Sequence, residues 1–188
     1  MTKPFVLGIS GSPRKNGNTD IVVKKALEVI SEEKQVETMF LRIADFNIKH
    51  CKGCRECMET GECSIKDDDF NTVLEKLMKA ELVVVGSPVF WFGPPGVMKD
   101  FIDRTHGFYT DPRHLAGKKV GIISVATSSG FEPREKILSW MKYYGAEIIS
   151  KIRIYAREKG EVLQRPVAVS YTHLRAHETR HDLVCRLL

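Results

Sequence analysis

The chain has 188 residues, with 29 Lys and Arg against 24 Asp and Glu for a formal net charge of +5. That length supports one domain with a proper core and is short for two of ordinary size. No apolar run approaches the ~20 residues that cross a bilayer, and the basic residues form no run or stripe, so neither a membrane span nor a nucleic-acid surface is expected. The first apolar run leads straight into a Gly-Ser-Pro turn and is too short for a secretory signal, so a cytoplasmic protein is expected.

Strand and helix patterns alternate along the chain. Residues 4–10 read as a short strand, and residues 18–33 as a helix with Val23, Ala26, Leu27 and Ile30 at helical spacing. A second strand fits 35–42. After a cysteine-rich stretch, Phe70, Val73, Leu74, Leu77 and Met78 mark a helix face, and Asp67, Asp68 and Asp69 before it read as an N-cap with acids that favour the helix dipole. Leu82–Gly86 is a buried strand, Val97, Met98, Phe101 and Ile102 a helix, Val120–Val125 another buried strand, and Ile137, Leu138 and Met141 a helix. Arg104 and His106, near the end of the helix marked by Val97, Met98, Phe101 and Ile102, fit a dipole-complementing role. Ile148–Tyr155 closes the series. Continuous apolar strands between helices predict a flavodoxin-like, doubly wound, five-stranded parallel sheet, with its ligand beyond the strand C-termini.

The domain is read as residues 1–167, with a cysteine-rich insertion over 50–66. Residues 168–188 hold three of the six histidines and the isolated Cys185, and no row of them makes a clean apolar stripe. They resemble an in-frame translation of a transposase-type sequencing adapter and are set aside as non-native. The helix that should follow the last strand is therefore expected to be missing or replaced. One sheet face is expected to be partly uncovered.

Three loops leave strand C-termini. In Gly11–Thr19, small residues and the donors Ser12, Arg14, Asn16, Asn18 and Thr19 precede a helix N-terminus, an arrangement suited to a phosphate. Neither Gly-Lys-Ser/Thr nor G-x-G-x-x-G is present, so a nucleotide P-loop and a dinucleotide fingerprint are both excluded. In Gly86–Gly96, the consecutive aromatics Phe90, Trp91 and Phe92 cannot all enter one core; a planar ligand along the turn or a contact between copies would explain them. The third loop, Ala126–Phe131, is polar and could close a pocket.

Cys51, Cys54, Cys57 and Cys63 follow a C-x2-C-x2-C-x5-C spacing. Thiolates this crowded suit one soft-metal centre better than disulfides. An iron–sulfur cluster, a structural zinc and free redox-active thiols all remain open. His50, adjacent to Cys51, reads as a solvated loop histidine.

Together, Gly11–Thr19, the Cys51…Cys63 loop followed by Asp67-Asp68, and Ser87–Gly93 with Met98-Lys99 and Phe101–Arg104 resemble the NAD(P)H-dependent FMN reductase superfamily, within it the iron–sulfur flavoproteins. The resemblance runs over about residues 4–166. It implies FMN phosphate at Ser12, Arg14, Asn16, Asn18 and Thr19. It implies the flavin ring against Pro88, Val89, Phe90, Trp91, Phe92 and Gly93 and near Thr127, Ser128 and Gly130. It also implies a [4Fe–4S] cluster on the four cysteines, NAD(P)H as co-substrate, and a homodimer or homotetramer. One departure is Phe90, where the iron–sulfur subfamily often has Tyr; simple flavin reductases also carry a similar cysteine loop. Two function classes follow. One is an oxidoreductase passing electrons from NAD(P)H to a small acceptor (a quinone, flavin, azo or nitro compound) or to an iron–sulfur centre. The other is an electron carrier from ferredoxin with no NAD(P)H turnover of its own. No side chain is assigned as a catalytic acid or base.

Overall fold

The computed structural model of the chain describes residues 3–164. The readings made for residues 165–188, including the tail and any helix in its place, lie outside the described residues. Five strands, β1 (Phe5–Ser10), β2 (Glu37–Arg42), β3 (Leu82–Pro88), β4 (Lys119–Ala126) and β5 (Glu147–Tyr155), form one sheet in the order β2-β1-β3-β4-β5. All four pairings are parallel. The order reverses between β1 and β3, which opens a crevice at their C-terminal ends.

Helices α1 (Asn18–Glu33), α2 (Cys57–Thr60), α3 (Phe70–Lys79), α4 (Gly96–Arg104) and α5 (Phe131–Leu138) complete the fold. Because side chains alternate across a strand, the central strands feed two cores. Leu7, Ile9, Val83, Val85, Val120 and Ile122 pack with α3, α4 and α5, whereas Val6, Leu82, Val84, Ile123 and Val125 pack with α1. Ile152 and Ile154 of β5 lie in the α1-side core and are buried, with Val162 beside them. The interior side chains of α1 (Val23, Leu27 and Ile30) each contribute about 1.5–3 kcal/mol on burial.

Two glycines fix how closely α1 approaches. A Cβ at Gly8 would fall 2.6 Å from Leu27 Cδ1, and one at Gly86 would overlap Val23 Cγ2. The N-terminus of α1 is thereby pressed onto the switch point of the sheet. Helix α5 stops earlier than the apolar spacing implies: Ser139 Oγ bonds back to the Glu135 carbonyl at 2.6 Å, and Met141 falls in a 3-10 turn over Trp140–Tyr144. No helix among the described residues is long and apolar enough to cross a membrane.

Candidate functional site

The loop after β1 is shaped by a carboxylate that sequence reasoning missed. Asp20, in the first turn of α1 and 1% exposed, accepts a hydrogen bond from Ser10 Oγ at 2.5 Å and another from the Asn16 amide at 2.7 Å. Asn16 takes a left-handed conformation (φ 54°), which asparagine tolerates better than most residues. Ser12 Oγ receives the Arg14 amide at 3.1 Å, and Gly17 starts the helix without a side-chain cap. Among the described residues, the amides of Asn18, Thr19 and Asp20 make no turn or cap bond of their own. An uncapped 16-residue helix presents partial positive charge at this end.

Beside it lies a cavity of about 240 Å³ lined by residues of all three loops. Ser12, Arg14, Gly17, Asn18 and Thr19 come from the first, Pro88, Val89 and Phe90 from the second, and Val125, Ala126 and Thr127 from the end of β4. Ala156, Arg157 and Lys159, which follow β5, complete the wall. The last two bring to three the cations on this lining, with Arg14. Their turn is anchored to α1: Asn18 donates to the Glu158 carbonyl at 2.7 Å and accepts from the Gly160 amide at 2.8 Å. Asn18 thus spends its side chain on holding the basic turn. Glu161 accepts from the Arg157 and Glu158 amides at 2.5 and 2.9 Å.

Asn16, Trp91, Phe92, Gly93, Ser128 and Gly130 are not among the lining residues. The aromatic segment is a two-residue hairpin: Phe90 and Gly93 exchange both backbone hydrogen bonds at 2.9 Å, and Trp91 (φ 46°) and Phe92 (φ 63°) form its tip. Such tips favour Asn-Gly, so bulky aromatics are held there against backbone strain. Trp91 is 96% exposed. Gly130 closes against this hairpin, since a Cβ on it would fall 2.9 Å from Val89 Cγ1 and 3.1 Å from Phe92 Cδ1. The three loops therefore meet at one edge of the sheet.

The cysteine loop is stitched to the body at its base. Asn47 and Asp69 exchange hydrogen bonds, Asn47 N to Asp69 Oδ2 at 2.8 Å and Asp69 N to the Asn47 carbonyl at 3.0 Å. Asp68 accepts from the Lys49 amide at 2.8 Å and the Phe70 amide at 3.1 Å, and it pairs with Arg104. Both side chains of that pair are buried, at 0% and 1% exposure for Arg104 and Asp68. Burial acts to raise the Asp68 pKa, but the Arg104 guanidinium and the two amides outweigh it and hold the carboxyl below its usual range. Burial likewise opposes the charge on Arg104, and Asp68 and Cys63 overcome it, raising its pKa.

These contacts correct two expectations. Asp69 makes no side-chain cap to α3, and of the three acids only Asp68 reaches a first-turn amide; Asp68 and Asp69 chiefly tether the cysteine loop. Arg104 is a buried fork donating to the carbonyls of Ile65 (2.7 Å) and Lys49 (3.4 Å) and to Cys63 Sγ (3.3 Å), which is more than a charge at a helix end. His50 is exposed as expected, and its Nδ1 sits 2.8 Å from Asp100 Oδ1, which raises its pKa.

Gly53, Arg55 and Gly61 take left-handed backbone conformations and turn the chain within the cysteine loop. Burial raises the Cys57 thiol, and Cys63, Cys51 and Cys54 raise it further. Cys51 and Cys54 are exposed, Cys57 and Cys63 half-buried, and all four are free. Among the described residues no three His, Cys, Asp or Glu side chains converge on a metal position. The donor set of four thiols in one short loop, with a buried cation on Cys63, nevertheless fits a soft, anionic centre in its chemistry.

The fold and this site define a flavodoxin-like α/β protein with a donor-rich loop and an uncapped helix start at the sheet switch point. The chain belongs to the NADPH-dependent FMN reductase family, whose model matches residues 4–160. It is 39% identical over 127 residues to an iron–sulfur flavoprotein of Methanocaldococcus jannaschii, covering 65% of this chain and 62% of that protein. It is 31% identical over 147 residues to an iron–sulfur flavoprotein of Methanosarcina thermophila, covering 77% and 76%. The match thus spans about three-fifths of the first relative's length and three-quarters of the second's. In fold it is similar to an FMN-dependent NADH-azoreductase from Bacillus anthracis str. Ames Ancestor in complex with FMN, at a TM-score of 0.62 and 16% identity, covering 85% of this chain and 92% of that one.

Proposed function

We propose that the chain is an FMN-dependent oxidoreductase that takes electrons from NAD(P)H and passes them to a small acceptor or to an iron–sulfur centre held by Cys51, Cys54, Cys57 and Cys63. The observation that carries the flavin reading is the cavity at the switch point, where an uncapped helix N-terminus, Ser12, Thr19 and three cations meet the aromatic hairpin. When bound, FMN supplies hydride acceptance and electron release, and a cluster would supply one-electron transfer. The chain's own residues do the holding. Backbone amides at the start of α1, with Ser12, Thr19 and Arg14, would receive the phosphate. Pro88, Val89, Phe90 and Thr127 would receive the ring, with Gly130 letting the third loop close behind it. The chemistry is the cofactor's, and the proposal assigns no side chain as a catalytic acid or base. The strained, exposed hairpin tip fits a contact with a second copy, in a homodimer or homotetramer.

Purified chain handled without oxygen should contain FMN, with iron and acid-labile sulfide. It should oxidise NAD(P)H when a quinone, free flavin, azo or nitro compound is supplied. Absence of FMN after reconstitution would end the reading. The four-cysteine loop, in a chain similar to proteins named iron–sulfur flavoproteins, supports a second reading as an electron carrier fed by ferredoxin. Bound FMN and iron with no NAD(P)H oxidation, but fast reduction by reduced ferredoxin, would favour it.

A further inference from the structure

Arg104 lies at the C-terminal end of α4, far along the chain from the cysteines, yet its side chain is wholly buried under the loop they occupy. Its five N–H groups are divided with little waste. Nη1 serves Asp68 and the Lys49 carbonyl, Nη2 serves the Ile65 carbonyl, and Nε points at Cys63 Sγ at 3.3 Å. The guanidinium also lies over the Phe70 ring, 4.3 Å from its centroid. Residues on both flanks of the loop (Lys49 before the cysteines, Ile65 and Asp68 after them) thus converge on one cation, which also touches one thiol.

This arrangement differs from a surface ion pair in two respects. A buried guanidinium keeps its field, because little water screens it. A planar fork also fixes the direction of the Nε–H, which a lysine could not reproduce at four acceptors at once. Hydrogen bonds to cluster sulfurs and nearby positive charge both stabilise the more negative, reduced form of an iron–sulfur centre.

We propose that Arg104 is a positioning and redox-tuning residue: it fastens Cys63 as a ligand and, through the Nε–H to Sγ and its buried charge, raises the reduction potential of the centre. The inference rests on the proposal that the four cysteines hold a cluster. The couple in question is a single electron taken up by the oxidised centre and delivered in the experiment by a chemical reductant.

The test compares wild type with Arg104→Lys, Arg104→Gln and Asp68→Asn, each reconstituted anaerobically and assayed for iron, sulfide and FMN before redox titration by electron paramagnetic resonance. Lysine keeps the charge and loses the fork, so the midpoint should move to a more negative value, and glutamine should move it further. The Gln variant should shift the reduction equilibrium at least tenfold, 59 mV for one electron. Asp68→Asn removes a buried negative charge while leaving the guanidinium, so its midpoint should move the opposite way. Variants that keep their iron with an unchanged midpoint would overturn the tuning role. Loss of iron from all three would leave Arg104 only the fastening of Cys63 and would overturn the tuning role as well. A wild-type chain that takes up FMN but no iron would instead remove the cluster reading on which the inference stands, an outcome visible before any variant is made.

Discussion

Asp20 accepts a 2.5 Å hydrogen bond from Ser10, joining the first turn of α1 to the last residue of β1 across the loop that would hold a phosphate. Its second oxygen takes the Asn16 amide, so one buried carboxylate sets both ends of the loop. Replacing Asp20 with Ala leaves Ser10 and Asn16 with unsatisfied donors and should cost about 1–3 kcal/mol of stability. Urea unfolding of the flavin-free chain measures this, and FMN affinity should fall with it.

Asn18 offers a different test. Its two hydrogen bonds hold the Arg157–Gly160 turn against α1. Asn18→Ala should loosen that turn and withdraw Arg157 and Lys159 from the cavity, weakening FMN binding by about tenfold, 1.4 kcal/mol. Adding Arg157→Ala to Asn18→Ala should cost less than the sum of the two single changes, because both act through one element. Fluorescence titration with FMN reads each step of the cycle.

The hairpin tip trades stability for exposure. Trp91 and Phe92 occupy left-handed backbone that an Asn-Gly pair would adopt freely. The double change Trp91→Asn with Phe92→Gly should stabilise the isolated fold by about 1–2 kcal/mol. NAD(P)H turnover, or assembly into larger species, should decline. Denaturant unfolding and size-exclusion chromatography separate the two effects.

Arg134 is a buried cation of another kind. It is 0% exposed, and none of its three guanidinium nitrogens has a hydrogen-bond partner among the described residues. Burial lowers its pKa to about 10, with Glu135 opposing that and Arg153 adding to it. Arg134→Leu or Arg134→Met should therefore stabilise the protein, by about 1–4 kcal/mol. Thermal unfolding checks the sign.

Acid should release the cysteine loop. The Asp68 pKa is lowered in the folded chain, so its contribution is complete above the unfolded value of about 3.9 and is lost as pH falls through the lower folded value. Between pH 7 and 3, wild type should lose thermal stability more steeply than Asp68→Asn. Equal slopes would show that the pair carries no such linkage.

Much of this architecture was legible from pattern alone. The bounds of α1, residues 18–33, follow from its apolar spacing, and β3 reads directly from Leu82-Val-Val-Val. What escaped was long-range. Arg104 ends an amphipathic helix, where an arginine is ordinarily solvated, and nothing local announces that Asp68 and Cys63 will bury it. Arg157 and Lys159 could have been found, because they follow β5 at the same sheet edge as the three loops. The left-handed Trp91 and Phe92 had no sequence signal, since they defy the residue preferences of the turn they form. Asn18, Ser12 and Thr19 were legible as polar groups near a helix start. That Asn18 would turn toward Gly160 was not, because its partner lies 142 positions away.

The most direct test of the account is a titration of the flavin-free chain with FMN and, separately, with riboflavin, which shares the ring and lacks the phosphate. If the switch-point cavity holds the phosphate at α1 and its three cations, FMN should bind roughly 100-fold more tightly, the worth of one or two charge-assisted hydrogen bonds. Equal affinity for the two would contradict the assignment of the loop and, with it, the placement of the flavin.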